Sequence, residues 1–87
     1  MSTLKNPMHP GEVLYLLYME PSDITVTELA KKLNVSASSI SRLVSGKSEL
    51  SYEMAIRLSK VFSRTPEGWM NLQVAYGLNK AREAEVV

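Results

Sequence analysis

Apolar residues recur at three- and four-residue spacings along most of this chain, and the polar residues between them gather into faces. That is the period of amphipathic helices, and it predicts an all-α fold. The pattern is clearest over residues 25–46. Val26, Leu29, Ala30 and Leu33 fall at i, i+3, i+4 and i+7, one side of a helix. Thr25 can cap its first turn, and Glu28, three residues on, can complete a capping box. The pattern breaks at Asn34-Val35-Ser36, where asparagine tolerates a left-handed backbone and Ser36 can cap a second helix. In that second helix Ala37, Ile40, Leu43 and Val44 form the apolar stripe, while Ser38, Ser39, Ser41, Arg42 and Ser45 lie off it. Gly46 suits the left-handed residue that closes a helix. Residues 25–46 thus predict two short helices meeting across a turn of about three residues, a helix-turn-helix.

The same spacing predicts three further helices. Val13, Leu14, Leu17 and Tyr18 make the stripe of a first helix over Gly11 to Met19, with Pro10 in its first turn and Pro21 as its end. Leu16 and Met19 fall off that stripe as surplus apolar surface. Residues 1–8 show neither periodicity nor a cap and read as a flexible arm; residues 20–24 read as a linker. Ser51 caps a helix that buries Met54, Ala55, Leu58, Val61 and Phe62 and turns Arg57 and Lys60 to solvent. Thr65-Pro66-Glu67 opens a last helix over residues 65–80, with a cap, a first-turn proline and an acid at the positive end of the dipole. Trp69, Leu72, Ala75 and Tyr76 line one of its faces, and Met70, Val74 and Leu78 point elsewhere. A helix apolar on more than one side needs a second contact. With Leu16 and Met19, this surplus predicts a homodimer interface.

Composition narrows the chemistry. Eighty-seven residues, 45% of them hydrophobic, make one domain over residues 1–87 with a core that needs no staple. There is no cysteine, so disulfides, thiol nucleophiles and thiolate metal sites are excluded together, as suits a reducing cytosol. Met1 to Gly11 has no apolar run long enough for a signal peptide or membrane span, which predicts a soluble, cytoplasmic protein. His9 is the single histidine, without neighbours to build a site, and reads as a turn or helix-start contact. No phosphate-cradling glycine loop, acid–base pair or triad can be assembled, so no catalytic residue, metal or cofactor is expected.

Charge and serine content then single out the helix-turn-helix. The net charge is only +1, yet residues 29–48 carry +4 through Lys31, Lys32, Arg42 and Lys47, and the remainder carries −3. Concentrated positive charge is the expected footprint of phosphate binding, and charge alone equally allows a solvated helix face with chance clustering. Seven serines lie between Ser36 and Ser51, although serine is a middling helix former. A helix entering the DNA major groove needs short side chains for close approach, and hydroxyls and a guanidinium to meet phosphates and base edges. Ser38 and Ser39, in the first turn of the second helix, are the leading candidates. Arg42, one turn on, can reach guanine O6/N7 or a phosphate, and both readings stand. Ala37 can touch a thymine methyl or simply pack. Ser41 and Ser45 face the DNA backbone or are neutral. Ser36, Thr25 and Thr27 can offer helix-start N–H groups and hydroxyls to phosphates, besides capping. Lys47, just after the second helix, is expected to meet a phosphate, the alternative being an ordinary surface lysine.

Ala30 inside the first helix of the pair, a turn after Leu33, then Ile40 and Leu43 in the second, resemble the helix-turn-helix of phage-repressor-like regulators. The wider run of H-P-G-E at residues 9–12, T-E-L-A-K-K-L-N-V-S, S-R-L-V-S-G-K, M-A-I-R-L-S and T-P-E-G-W-M-N-L-Q-V-A-Y-G-L resembles HigA-type antitoxins, the virulence-associated protein I family, over residues 8–80. Asn34 stands where that family usually has glycine, Gly68 where it has a bulky residue, and Ser63-Arg64 where a glycine commonly ends the fourth helix. The resemblance implies a five-helix, phage-repressor-like DNA-binding domain. It also implies a partner toxin of the ribosome-dependent mRNA-endonuclease kind and repression of the protein's own operon. A two-fold dimer on a palindromic operator would set two recognition helices about 34 Å apart. The alternative expectation is a stand-alone dimeric repressor without a toxin.

Overall fold

Helix α1 is a composite: an α-helical turn at Pro10–Val13, a π-helical stretch at Leu14–Met19 and a closing turn at Glu20–Ser22. It is followed by α2 (Val26–Leu33), α3 (Ala37–Val44), α4 (Tyr52–Val61) and α5 (Pro66–Glu85). These come from a computed structural model that describes residues 6–85, and among the described residues there is no strand. The arm expected at residues 1–8 therefore lies mostly outside the described residues. Of the rest, Asn6 accepts a long hydrogen bond, 3.4 Å, from Asn79 on α5.

Pro21 does not end α1. A proline inside a helix lacks an N–H and crowds the carbonyl four residues back. Here the turn ahead of it is already widened, with the Glu20 N–H donating to the Tyr15 carbonyl five residues earlier. The helix closes one turn later on Asp23, which is left-handed at φ 56°, as the Ile24 N–H reaches the Met19 carbonyl at 3.0 Å. Widening also changes which side chains face inward. Leu14 and Met19, five apart, are 0% and 1% exposed, whereas Leu17 is 57% exposed. The three-to-four spacing put Leu17 inside and Met19 outside; the π turn exchanges them.

Val13, Leu14 and Met19 of α1 pack with Leu29, Ala30 and Leu33 of α2, Ile40 and Leu43 of α3, Leu50, Ala55 and Leu58, and Trp69 of α5. Val61, expected in this core, is exposed, and Phe62 is half-buried. Trp69 is the only buried residue of α5. Beyond it Leu72 and Tyr76 are half-buried and Ala75 is exposed, because the helix runs on to Glu85, past the elements it packs against. Around Trp69 sit Tyr18, at 5.1 Å between ring centroids, and the Arg64 guanidinium, 5.4 Å above the indole. Arg64 Nε also donates to the Tyr18 hydroxyl at 3.1 Å. A Cβ on Gly68 would lie 3.0 Å from Arg64 Cγ, so the glycine leaves the room this stem occupies.

Two side chains join elements that the sequence pattern left separate. Arg57, expected to point to solvent, donates Nη1 to the Leu33 carbonyl at 2.6 Å and Nη2 to Glu53 at 3.0 Å. It thereby places a cation at the negative end of α2 and ties α4 to it. Gln73 Oε1 accepts the Leu50 N–H at 2.7 Å, binding the α3–α4 loop to α5.

Candidate nucleic-acid interface

The start of α2 is held by local chemistry. Thr25 Oγ1 accepts the Glu28 N–H at 3.1 Å, and Glu28 Oε1 accepts the Thr25 N–H at 2.9 Å and its hydroxyl at 3.2 Å. The Thr25 backbone N–H, then its hydroxyl, hold the Glu28 carboxyl below the ordinary glutamate value, helped by Lys32 and Lys31. A carboxyl lowered on folding adds stability above its unfolded value, about 4.3, and that contribution disappears as pH falls through the lower folded value. The Tm gap between the wild type and Glu28→Gln is therefore expected to hold at neutral pH and to close as acid protonates Glu28. A gap independent of pH would refute this role.

The turn between the helices rests on Asn34, left-handed at φ 60°, whose N–H meets the carbonyls of Ala30 and Lys31. Asparagine is one of the few residues that accept the conformation glycine would supply. Ser36 then caps α3, accepting the Ser39 N–H at 3.1 Å. Its hydroxyl lies 2.8 Å from that of Ser39 and 3.3 Å from that of Ser38, so the first turn of α3 carries a mesh of hydroxyls. Ile40 and Leu43 anchor the helix from beneath, at 0% and 2% exposure. Ala37, Ser38, Ser41, Arg42 and Ser45 are exposed, and Ser39 is half-buried. At the far end Gly46, at φ +80°, turns the chain. The N–H groups of Lys47 and Ser48 return to the Arg42 carbonyl at 2.8 and 3.3 Å, which leaves the Lys47 side chain exposed beside the helix end.

Ser39 and Arg42 line one shallow groove together with Leu43, Ser48, Glu49, Ser51 and Met54. Ser48, Glu49 and Ser51 lie outside the residues that the sequence pattern singles out, although the serine run extends to Ser51. Glu49 puts an acid at the edge of an otherwise basic face. The structure thus brings Ser36, Ser38, Ser39 and Arg42 onto one helix face, with Lys47 at its end. Thr25 and Thr27 are exposed at the start of α2, where the Thr25 hydroxyl is already engaged with Glu28. His9 serves structure: Nδ1 accepts the Gly11 N–H at 2.9 Å as the cap of α1, and its ring meets Tyr76 edge-on at 4.8 Å.

A helix-turn-helix family model matches residues 17–69, from the π stretch of α1 to Trp69. The structure of Pseudomonas aeruginosa antitoxin HigA with the higBA promoter aligns with a TM-score of 0.87 at 40% identity, over 90% of this chain and 85% of that one. The chain belongs to the helix-turn-helix family and, within it, to the HigA family. Antitoxin HigA-1 of Vibrio cholerae is 36% identical over 76 residues, 87% of this chain and 71% of that protein. The Escherichia coli protein YbaQ, an uncharacterized HTH-type transcriptional regulator, is 43% identical over 74 residues, and the match spans 66% of YbaQ's length. In this HigA-family protein the α2–α3 pair falls wholly inside the family match, whereas α5 beyond Trp69 falls outside it. No helix among the described residues is long and apolar enough to cross a membrane.

Proposed function

We propose that this protein is a sequence-specific DNA-binding antitoxin of the cytoplasm that represses its own operon and neutralises a partner mRNA-endonuclease toxin, without catalysis of its own. The observation that carries the DNA-binding part is α3, a short helix buried on one side and open on the other, with hydroxyls and one guanidinium on the open side. Ser38 and Ser39 enter the major groove first, Arg42 reads a guanine edge or a phosphate, and Ala37 approaches a thymine methyl. Ser36, Ser41, Thr25, Thr27 and Lys47 meet the DNA backbone. Arg42→Ala is expected to cost about 1–3 kcal/mol in binding to the DNA upstream of the gene, with little loss on random DNA, if Arg42 reads a base. Equal losses on both would make it a phosphate contact, and no loss on either would remove α3 from the interface.

A two-fold dimer fits the apolar surface between α4 and α5. Tyr52, Ile56 and Val74 are 78%, 49% and 53% exposed there, around Met70. This surface shares Glu49 and Ser51 with the groove at Arg42, so the two border each other. The separation of the two recognition helices in such a dimer would match about one DNA turn, 34 Å. Of the residues that spacing assigns to the dimer, Met19 is buried in the core, and Leu16 and Leu78 are exposed but do not line this surface. Sedimentation as a monomer, with and without DNA, would overturn the dimer.

A further inference from the structure

Helix α1 carries an apolar strip that neither the core nor the α4–α5 surface uses. Tyr15, Leu16 and Leu17 are consecutive and 41%, 40% and 57% exposed. They face outward because of the π turn, which takes Met19 into the core and releases Leu17 from it. Stretches of π-helix are rare and concentrate at functional sites, since the wider turn is held only where something is gained from it. The strip has an acidic rim. Glu12 precedes it, beside Val44 and Ser45 at the end of α3, and Glu20 and Asp23 follow it; all three are exposed. Between Lys5 and Lys31 the sequence contains four acids and no base, in contrast to the +4 of residues 29–48. Such a surface repels phosphate and is unsuited to DNA.

We infer that this acid-rimmed apolar face of α1 is the docking surface for the toxin, a protein whose matching surface is apolar at its centre and basic around it. The inference rests on the antitoxin reading. An enzyme that cleaves RNA gathers phosphates with lysine and arginine, and basic surface of that kind is complementary to the acids of α1. Against such a surface Leu16, Leu17 and Tyr15 supply the desolvated centre, and Glu12, Glu20 and Asp23 supply orientation and a fast, salt-dependent encounter. The acids of α1 and the bases of the helix-turn-helix sort two partners by charge, so one molecule can hold toxin and operator together.

The test is co-expression with the protein encoded by the reading frame adjacent to this gene, read by co-purification, dissociation constant and rescue of growth. Leu16→Gln with Leu17→Gln, at exposed positions, is expected to weaken that complex about tenfold or more. Glu12→Lys with Glu20→Lys is expected to weaken it about tenfold at low salt and clearly less at high salt. Operator binding by the glutamine pair should stay within about twofold of wild type, since α3 is untouched. If wild type binds the neighbouring protein and both pairs bind it equally well, the α1 surface is wrong and the antitoxin reading stands. If wild type neither binds it nor restores growth, the antitoxin reading fails and the docking surface with it, leaving a stand-alone repressor.

Discussion

Replacing Gly11 with alanine is expected to destabilise the fold by about 3 kcal/mol or more, at the upper end of what overpacking costs. A Cβ at this position would overlap the Leu43 carbonyl oxygen and lie 2.5 Å from its carbon and 3.0 Å from Val44 Cα. All three are backbone atoms, so no rotamer change relieves the clash. Either the first turn of α1 or the end of α3 has to move by more than an ångström. Since α3 is the proposed recognition helix, operator binding should fall even in the fraction that remains folded. Gly77→Ala is the matched control: the nearest atom to its Cβ is the Gln73 amide nitrogen at 4.0 Å. In the middle of α5 that change should be neutral or stabilise by up to about 1 kcal/mol. Urea denaturation followed by circular dichroism measures both, and equal effects would refute the close approach of α1 to α3.

Trp69→Ala should cost about 3–5 kcal/mol, the range for truncating a buried aromatic. Trp69 is the one fully buried residue of α5, so its loss removes that helix's contacts with Tyr18 on α1 and with Arg64 and leaves Met70, Leu72 and Gln73 to hold it. The α4–α5 surface would loosen with it, and dimerisation should weaken in parallel. Trp69→Phe sharpens the test. The indole Nε1 is buried with no hydrogen-bond partner among the described residues. An orphaned donor costs about 1–3 kcal/mol, so phenylalanine loses packing area but sheds that penalty. Its net cost should be a small fraction of that of alanine. A phenylalanine variant as unstable as the alanine one would mean that the indole N–H has a partner, such as a buried water.

The parts of the fold that were legible in the sequence are those decided within a few residues. The capping box of Thr25 and Glu28, the left-handed Asn34, the Ser36 and Ser51 caps and the glycine after α3 each involve groups three or four positions apart. Periodicity then named Ile40 and Leu43 as the buried side of α3, which leaves Ser38 and Arg42 on the open one. The same rule misread α1, because a single widened turn offsets every later residue; spacing counted at 3.6 residues per turn has no term for it. Arg57 reads from the sequence as a solvent-facing charge because its one partner nearby in the chain is the exposed Glu53. Its other acceptor, Leu33, is 24 residues away.

By itself, then, the amino-acid order determined five helices, their starts, the stops at Asn34 and Gly46, and a serine- and arginine-bearing face on the third, since capping and amphipathicity are short-range properties of the chain. Only the tertiary structure decided that Gly11 must lie against the Leu43 carbonyl and that Gln73 secures the loop after α3. It also decided that Met19 goes inward while Leu17 goes out, leaving a second, acidic-edged surface. Those outcomes depend on where distant backbones meet, and side-chain periodicity carries no information about that.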